Sequence, residues 1–414
     1  MIDLLEGLCG TCGPSGHEGS VREMITEKIK PYVDGVRTDA LGNLVATMFL
    51  KGFLTGAANM KGKAAPGGKK GACQETAFDP MTPQTHKGDP NGVKRLMLVA
   101  HMDEVGLMVT HIDEDGFLRF APIGPIEERF LPGRRVRFAG GAVGIIGIEP
   151  VEKADDVKFS RMFVDLGEKA VKPLSSRVNV GDVACFDTEF RLVSSSGESF
   201  TGKRVISKAL DDRTGCVVLM ESAKRLDELR KNGDGYREME HGEPSREESL
   251  VISFVFTVQA QLGPRGAKTS AFALAPDEAL VIDVTPARDT PGAAASGITS
   301  GVRLGAGPVI RVKDARFVSS PDVRKTLVDA AASANIPYQM EVLPADDSAP
   351  ETGGMDAAAI QLIGEGVPTG VISIPARYMH TPSEMVDLDD IWKTVELTVR
   401  WILMRCAPGS LERS

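Results

Sequence analysis

The polar residues best suited to chemistry follow apolar segments that the sequence predicts to be strands. His101 and Asp103 follow the run LMLVA, Asp211 follows VISKAL, and Asp283 follows EALVI. His380 follows GVISIPARYM. In open α/β folds, ligands bind outside the carboxyl ends of the strands. We therefore expect two histidines and two or three carboxylates to meet at one edge of a sheet.

Imidazole and carboxylate groups in one place indicate a transition-metal site. This ligand set suits Zn, Co or Mn, and a bridging Asp is common in paired-metal hydrolases. Asp103 is spaced to orient the imidazole of His101, as a hydrogen-bonded carboxylate does for many metal-bound histidines. Each residue alone is also a common turn or capping residue, so the prediction depends on all the strand ends converging.

Other motifs indicate little chemistry. Cys9 and Cys12 form a CxxC sequence without a second pair for zinc or a preceding strand, and we interpret them as small apolar residues at a helix end. The six cysteines are too sparse for a disulfide framework in 414 residues. The sequence contains neither GxSxG nor a P-loop, so serine acyl-enzyme chemistry and phosphoryl transfer have no support.

The segments around these residues alternate between strands and helices. This alternation predicts an α/β fold in which a mixed sheet is covered by helices on both faces. The predicted helices are 214–229, 323–334, 356–363 and 388–406, and the predicted strands between them are 251–258, 279–282 and 370–374.

Residues 107–197 have a different pattern. Short alternating stretches, separated by Pro-Gly and Gly-Gly turns, predict a small inserted β-barrel or sandwich. The remainder is expected to form one α/β domain because its two parts must complete one sheet. The predicted divisions are 1–106 and 198–407 for that domain, 51–92 for a low-complexity insertion, 231–248 for a loop insertion, and 408–414 for a tail.

Composition excludes several classes of protein. Lys and Arg total 48 against 57 Asp and Glu, a formal charge of −9, which argues against a nucleic-acid binder and a polybasic membrane anchor. The acidic start MIDLLEGL is unlike a signal peptide. The strongest apolar run, 250–258, is far short of a membrane span. We expect a cytoplasmic globular protein.

Several ordered motifs resemble the tetrahedral aminopeptidases, a family of co-catalytic metallopeptidases that includes glutamyl aminopeptidases and proteins once called cellulase M. The resemblance covers about nine tenths of the chain. Its motifs are GPSGHE at Gly13, DALGNLVA at Asp39, AHMDEVGLMV at Ala100, KALDDRTG at Lys208, DVT at Asp283, GPVIRVKDA at Gly307, GGMDA at Gly353 and GVISIPARYMHTPSEMV at Gly370.

The resemblance implies a role for each strand-end residue. His101 corresponds to the first metal ligand and Asp103 to the residue that orients it. Asp211 corresponds to the carboxylate that bridges two metals, and Asp283 and His380 to further ligands. The family fold is an α/β peptidase domain with an inserted β-domain used for dimerisation. Dimers of the family assemble into a hollow dodecamer that trims peptides from the amino terminus.

One departure from the family bears directly on catalysis. Where the family has a Glu-Glu pair, this sequence has Ala260 and Gln261, within FTVQAQLGPRGA. The first Glu of the family is the general base that deprotonates the attacking water, and the second is a metal ligand. Alanine cannot move a proton, and the amide of Gln261 has no charge to hold a cation. The resemblance therefore predicts one tight site for Zn or Co and a second, weakened one.

These observations leave three functions open. The first is a metallo-aminopeptidase acting on peptides, in which Glu104 or Asp212 would have to replace the missing base. The second is a non-catalytic homologue that binds peptides or serves as an assembly subunit. The third and least favoured is a glycoside hydrolase, because glycosidases use two opposed carboxylates instead of a histidine-rich metal site. Self-association, from dimer to dodecamer, is expected in the first two cases.

Overall fold

The computed structural model describes residues 1–50, 93–153, 156–167, 178–194, 203–232, 250–291, 301–343 and 355–406. The predicted insertion at 51–92 and the predicted tail at 408–414 lie outside these residues, as does nearly all of the predicted loop insertion at 231–248. Among the described helices, none combines the length and the apolar composition that a membrane crossing requires.

The described residues contain seven α-helices. They are α1 (Ile2–Gly10), α2 (Gly19–Ile29), α3 (Leu210–Asn232), α4 (Arg265–Leu274), α5 (Pro321–Ser333), α6 (Met355–Gln361) and α7 (Leu388–Cys406). Four of them (α3, α5, α6 and α7) agree with the four helices predicted above to within a few residues at their ends. Within α3, Asp211 and Asp212 have non-helical dihedral angles, so regular helical geometry begins only after them.

The strands fall into a large sheet and a barrel. They are β1 (Gly35–Thr38), β2 (Leu44–Leu50), β3 (Lys94–His101), β4 (Gly106–Ile112), β5 (Leu118–Ile123), β6 (Arg135–Phe138), β7 (Val143–Ile148), β8 (Met162–Asp165), β9 (Val183–Phe186), β10 (Arg191–Ser194), β11 (Lys203–Ser207), β12 (Leu250–Thr257), β13 (Glu278–Pro286), β14 (Val309–Lys313), β15 (Gln339–Val342), β16 (Thr369–Arg377) and β17 (Glu384–Asp387).

The large sheet is mixed, with a parallel centre. Its order is β1-β2-β12-β3-β13-β16-β17-β11-β10, and β14 and β15 pair beside β16. The four adjacent strands β12, β3, β13 and β16 are parallel. β11 points the same way because two antiparallel pairings, through β17, connect it to β16. Five strands therefore have their carboxyl ends at one edge of the sheet.

The centre of the sheet is buried on both faces, and β3 shows why. Leu96, Leu98 and Ala100 of β3 pack into one apolar cluster with residues of α1, α2, α3, α5 and α7. Met97 and Val99 point the other way, into a second cluster with residues of α4 and α6. Because successive side chains of a strand alternate between faces, an unbroken apolar run is what a two-sided core requires.

The barrel is closed in the order β4-β5-β8-β7-β6-β9. It has its own apolar core, to which Val136, Phe138, Val164 and Phe186 contribute. The prediction of a helix-covered mixed sheet with an inserted β-barrel is confirmed. β10, which lies within the predicted segment 107–197, pairs with β11 of the large sheet; the predicted domain limits remain a prediction.

Two links join the barrel to the start of the chain. The sulfurs of Cys12 and of Cys185 on β9 form a disulfide, and Arg137 Nη2 donates a hydrogen bond of 2.8 Å to the carbonyl of Gly10. The interpretation of Cys12 as a small apolar residue is therefore wrong. The bond was missed because the partner of Cys12 lies 173 residues away, where local spacing gives no information. Cys9 is fully buried in the core, as that interpretation expected.

Candidate metal site

The predicted site residues meet at a cavity between the sheet and the barrel. The cavity has a volume of about 510 Å³. Gly124, on the barrel side, has φ +85°, and a Cβ there would lie 2.9 Å from Val105 Cγ1 and 3.1 Å from Gln261 Cβ. Only glycine allows this close approach. The lining includes His101, Asp211, Ala260, Gln261, Asp283 and His380 from the sheet side, and Pro122, Gly124 and Pro125 from the barrel.

Asp211 connects the two histidines. Its Oδ1 lies 3.0 Å from His101 Nε2, and its Oδ2 lies 3.1 Å from His380 Nε2. Burial raises the pKa of Asp211, but hydrogen bonds with His101 and His380 outweigh burial and bring it well below its ordinary value. One carboxylate thus uses both oxygens between two imidazoles, which is the arrangement expected of a bridging ligand.

Asp103 fixes both His101 and the loop that follows β12. Its backbone carbonyl lies 3.1 Å from His101 Nδ1. Its carboxylate is fully buried and accepts hydrogen bonds of 2.9 Å from the backbone N–H groups of Ala260 and Gln261. The hydroxyl of Ser15 donates a further bond of 2.6 Å. The sequence predicted that the carboxylate of Asp103 would orient His101, whereas the shorter contact to His101 Nδ1 comes from its backbone carbonyl, at 3.1 Å against 3.5 Å.

His101 has acceptors on both ring nitrogens. A carbonyl oxygen only accepts, so Nδ1 donates to Asp103, and Nε2 then faces a carboxylate of Asp211. Burial lowers the pKa of His101, but hydrogen bonds to Asp103 and Asp211 outweigh burial and raise it well above its ordinary value. Because Nδ1 is committed to the carbonyl of Asp103, Nε2 is the ring nitrogen that could hold a metal ion.

Two residues that line this cavity, His101 and Asp283, belong to a group of possible metal ligands. One ligand atom each from His101, Asp212 and Asp283 lies within 4.8 Å of the others. Burial raises the pKa of both carboxyls, and the negative charge of neighbouring carboxylates raises it further. Nitrogen and carboxylate donors with an excess of negative charge fit a divalent cation such as Zn²⁺ or Co²⁺. This group contains Asp212, whereas the sequence pointed to Asp211.

The position of Asp283 also differs from expectation. The sequence put Asp283 after the end of a strand, but β13 continues to Pro286. Val284 and Thr285 remain paired with β16 and buried, so the strand does not stop where the run EALVI stops. The side chain of Asp283 nonetheless lines the cavity.

Ala260 and Gln261 lie in a short helical turn directly after β12. The methyl group of Ala260 offers no proton-transfer group to the cavity. The amide Nε2 of Gln261 donates a hydrogen bond of 3.0 Å to Asp211 Oδ2. Gln261 thus presents a donor to a carboxylate and offers no negative charge to a cation.

Neither proposed substitute for the missing base is free to act as one. Both oxygens of Glu104 contact Lys208 Nζ, at 2.8 and 2.7 Å, and one also accepts the backbone N–H of Gly13. Asp212 is fully buried and accepts backbone hydrogen bonds from His101 and Gly215. Glu104 is not among the lining residues of the cavity. Its carboxylate pairs with Lys208 instead, because a buried lysine requires a carboxylate partner.

The sequence reasoning did not identify two carboxylates of the site. Glu384 accepts hydrogen bonds from the backbone N–H groups of Asp211 (2.9 Å) and His380 (3.0 Å), and so positions both residues. Burial and the charge of Asp211 raise the pKa of Glu384 to about 8. Asp356 lines the cavity. Both lie within motifs that resemble the family, GGMDA and TPSEMV, and that was the available signal.

The chain is similar to known aminopeptidases over nearly its whole length. Residues 84–397 match the family described as M42 glutamyl aminopeptidase. A protein of Acetivibrio thermocellus named "Putative aminopeptidase" is 39% identical over 405 residues, covering 97% of this chain and 98% of that protein.

Solved structures give the same result. An aminopeptidase from the archaeon Desulfurococcus kamchatkensis has a TM-score of 0.72 and 31% identity, covering 100% of this chain and 98% of that one. The TET1 peptidase of Pyrococcus horikoshii, which can assemble into a tetrahedron or a large octahedral shell, has a TM-score of 0.69 and 28% identity, covering 96% and 98%. The cavity described above therefore lies in a fold shared with peptidases.

Proposed function

The chain belongs to the M42 glutamyl aminopeptidase family, and on that premise we propose that it binds the amino-terminal end of peptides at a divalent-metal site with strongly reduced hydrolytic activity. One observation carries the proposal. The cavity retains the contact series His101–Asp211–His380, while the neighbouring lining residues Ala260 and Gln261 lack the two carboxylates that the resemblance implies.

The metal is expected to be held unequally at two positions. His101 and Asp283, with a carboxylate of the Asp211–Asp212 pair, supply one full set of ligands. Asp211, His380 and the neutral amide of Gln261 supply a poorer one. A bound Zn²⁺ or Co²⁺ would polarise the scissile carbonyl. The residues of the chain would orient the peptide, exclude water and hold His101 in position through Asp103.

Hydrolysis also needs a group that takes a proton from the attacking water. A positioned general base contributes about 10²–10⁴-fold to the rate. Ala260 has no such group, and Glu104 is paired with Lys208. We therefore infer that peptides are bound but cleaved far more slowly than in a site with the Glu-Glu pair.

The test measures binding and turnover separately. The purified protein, with Zn²⁺ or Co²⁺ added, is titrated with trialanine by calorimetry and assayed with Ala-, Glu- and Lys-p-nitroanilides. The expected result is measurable binding with weak turnover, which Ala260→Glu combined with Gln261→Glu raises by at least about 10²-fold. Strong turnover that His101→Ala abolishes would show a fully active aminopeptidase, and absence of peptide binding would contradict the proposal.

Self-association is the other part of the proposed function. In β7 of the barrel, Val143 and Ile145 are 47% and 52% exposed, whereas Ile146 is buried. Two large apolar side chains on one outward face favour contact with another protein surface. Together with the assembly of the Pyrococcus horikoshii peptidase, they support a homo-oligomer in which the barrel forms the dimer contact. Such a role as an assembly subunit does not require catalysis.

The oligomer is tested by light scattering coupled to size-exclusion chromatography at micromolar concentration. At least a dimer is expected, and the dodecamer is the expected final size. Ile145→Asp should give a smaller species, whereas Val318→Asp, an exposed site outside the barrel, should not. A wild-type monomer would contradict the assembly proposal. The cytoplasmic location stays a prediction.

A further inference from the structure

A second cavity lies where the start of the chain meets the barrel. Its volume is about 590 Å³. It is lined by residues between 12 and 22, by residues 38–42 between β1 and β2, and by Ala139 and Val183 from the barrel side. Cys12 is one of the lining residues, so its disulfide with Cys185 borders a space that a small molecule could enter.

The two sulfurs of this disulfide differ in access. Cys12 is half-buried and lines the second cavity. Cys185 is fully buried and is not among the lining residues. A thiolate breaks a disulfide by attacking one sulfur and expelling the other, so access decides which sulfur is attacked. A thiol in the second cavity therefore meets Cys12 and not Cys185.

The surroundings of the disulfide suit a released thiol better than a metal ion. The carbonyl oxygen of Arg137 lies 3.6 Å from Cys185 Sγ, where it could accept the proton of a free thiol. Cys12, Glu104 and Cys185 form a group of possible metal ligands, with ligand atoms within 4.8 Å of one another. Both carboxylate oxygens of Glu104, however, contact Lys208 Nζ, which leaves only two sulfurs for a cation.

The disulfide also anchors the segment that supports Asp103. Directly after Cys12, the backbone N–H of Gly13 donates a hydrogen bond of 2.9 Å to Glu104 Oε1. The hydroxyl of Ser15 donates one of 2.6 Å to Asp103 Oδ2. Segment 13–15 thus lies between the barrel, to which the disulfide ties it, and the two acidic residues that follow His101.

The expected cellular location bears on the role of this bond. In cytosolic proteins thiols are kept reduced, and the disulfides that do form are usually transient, catalytic or redox-sensing. Exposed disulfides are also more labile than shielded ones. For the cytoplasmic location that the sequence predicts, a disulfide with one sulfur on a cavity wall has the position of a reactive bond.

We propose that the Cys12–Cys185 disulfide is a thiol-exchange site, in which a small thiol enters the second cavity and forms a mixed disulfide with Cys12. The thiolate of the incoming molecule bonds to Cys12 Sγ, and the bond to Cys185 breaks. Cys185 leaves as a thiolate and takes up the proton that the incoming thiol lost. A second small thiol then displaces Cys12 from the mixed disulfide, so two thiols are oxidised to their disulfide and the protein disulfide is reduced.

The experiment locates the adduct. The whole protein, purified without reductant and kept in EDTA, is incubated with 2-mercaptoethanol. Free thiols are then trapped with N-ethylmaleimide in denaturant, and peptides are analysed by mass spectrometry without reduction. The mixed disulfide should be found on Cys12 at least about tenfold more often than on Cys185, and Cys185 should carry N-ethylmaleimide.

A matched pair of variants tests the route through the second cavity. Ala139 is exposed and lines this cavity, so Ala139→Phe should shield Cys12 and slow the exchange about tenfold. Ala121→Phe, at an exposed barrel position outside the lining, should exchange as the wild type does. If Ala139→Phe is not folded by circular dichroism, two single variants replace it. The Cys12 thiol of Cys185→Ser should then react with N-ethylmaleimide at least about tenfold faster than the Cys185 thiol of Cys12→Ser.

Hydrogen exchange tests whether the bond restrains segment 13–15. After reduction, backbone amides in peptides that cover residues 13–15 and 103–104 should exchange about tenfold faster at short times. Peptides from residues 214–229 of α3 are the internal control and should not change. Equal protection of segment 13–15 before and after reduction would overturn the claim that the disulfide restrains it.

Three other results would overturn the exchange site itself. One is adducts that form on Cys185 as often as on Cys12. Another is a native disulfide that resists concentrations of 2-mercaptoethanol that reduce it in the unfolded chain. The last is a protein that contains no Cys12–Cys185 bond even after incubation with oxidised dithiothreitol. None of these measurements uses a metal or a peptide, so failure of the proposed function would leave them unaffected.

Discussion

Introducing the two carboxylates that the resemblance implies should restore hydrolysis. The double replacement should raise the rate by much more than the two single replacements would together. The variants are Ala260→Glu, Gln261→Glu and the double replacement. The backbone at both positions is held by the carboxylate of Asp103, at 2.9 Å from each N–H. A new side chain therefore starts from a fixed position, and preorganised sites gain most from correctly placed groups.

Each single replacement is expected to be incomplete. Ala260→Glu supplies a base, worth about 10²–10⁴-fold, but leaves the second metal position weak. Gln261→Glu exchanges a donor 3.0 Å from Asp211 Oδ2 for a second negative charge. At that separation and an effective dielectric constant of about 20, two like charges repel by about 5 kcal/mol. A divalent cation between them reverses this cost, so the variant should bind metal more tightly but lack a base.

Initial rates on Ala-p-nitroanilide are measured at saturating Zn²⁺ or Co²⁺, with bound metal determined in parallel. The gain of the double variant should exceed the product of the single gains, because groups that act as one catalytic unit are not additive. Gln259→Glu is the control, since it adds a carboxylate next to the loop and outside the cavity lining. The reasoning would be refuted if the wild type turned over robustly, if His101→Ala abolished this turnover, and if neither Ala260→Glu nor Gln261→Glu changed it.

Three further predictions concern metal, the disulfide and pH. After extensive dialysis the wild type should retain about one divalent ion per chain by elemental analysis, and two equivalents would contradict the unequal sites. Reduction of the disulfide, or Cys185→Ser, should lower the free energy of unfolding in urea by about 2–4 kcal/mol; Cys406→Ser should have little effect, and equal stability with and without reductant would argue against the bond. Burial raises the pKa of Asp356 to about 7, whereas in the unfolded chain this carboxyl loses its proton at about pH 4. Between about pH 4 and pH 7, the free energy of unfolding of the metal-free protein should therefore fall by about 4 kcal/mol more in the wild type than in Asp356→Asn. Parallel pH profiles for the two proteins would exclude this contribution.

The convergence of the site residues was predictable because it depends on strand direction. The run LMLVA forms most of β3, and the other apolar segments become β12, β13 and β16, parallel neighbours with a common carboxyl edge. Polar residues at or after those strands therefore meet, whatever the loops between them contain. The departure at Ala260 and Gln261 was also readable, since the flanking motif continues without a shift.

The details that were missed depend on contacts between distant parts of the chain. Glu104 follows Asp103 directly, but its direction is set by Lys208, which is 104 residues away. The disulfide of Cys12 depends on how the barrel closes against the start of the chain. Asp356 acquires its position through a hydrogen bond from Thr257. Local patterns carry no information about such pairings, because each is decided by packing after the strands are in register.

The position of β12 in the sheet has a consequence for dividing the chain. β2 and β3 are consecutive among the described strands, yet they do not pair with each other, because β12 lies between them and pairs with both. A fragment that ends before residue 250 therefore lacks the strand that connects the first hairpin to the rest of the sheet. All six strands of the barrel, in contrast, lie within residues 106–186. If parts of the protein are expressed separately, the barrel segment contains all six of its strands. The large sheet, in contrast, requires sequence from both before and after the barrel segment.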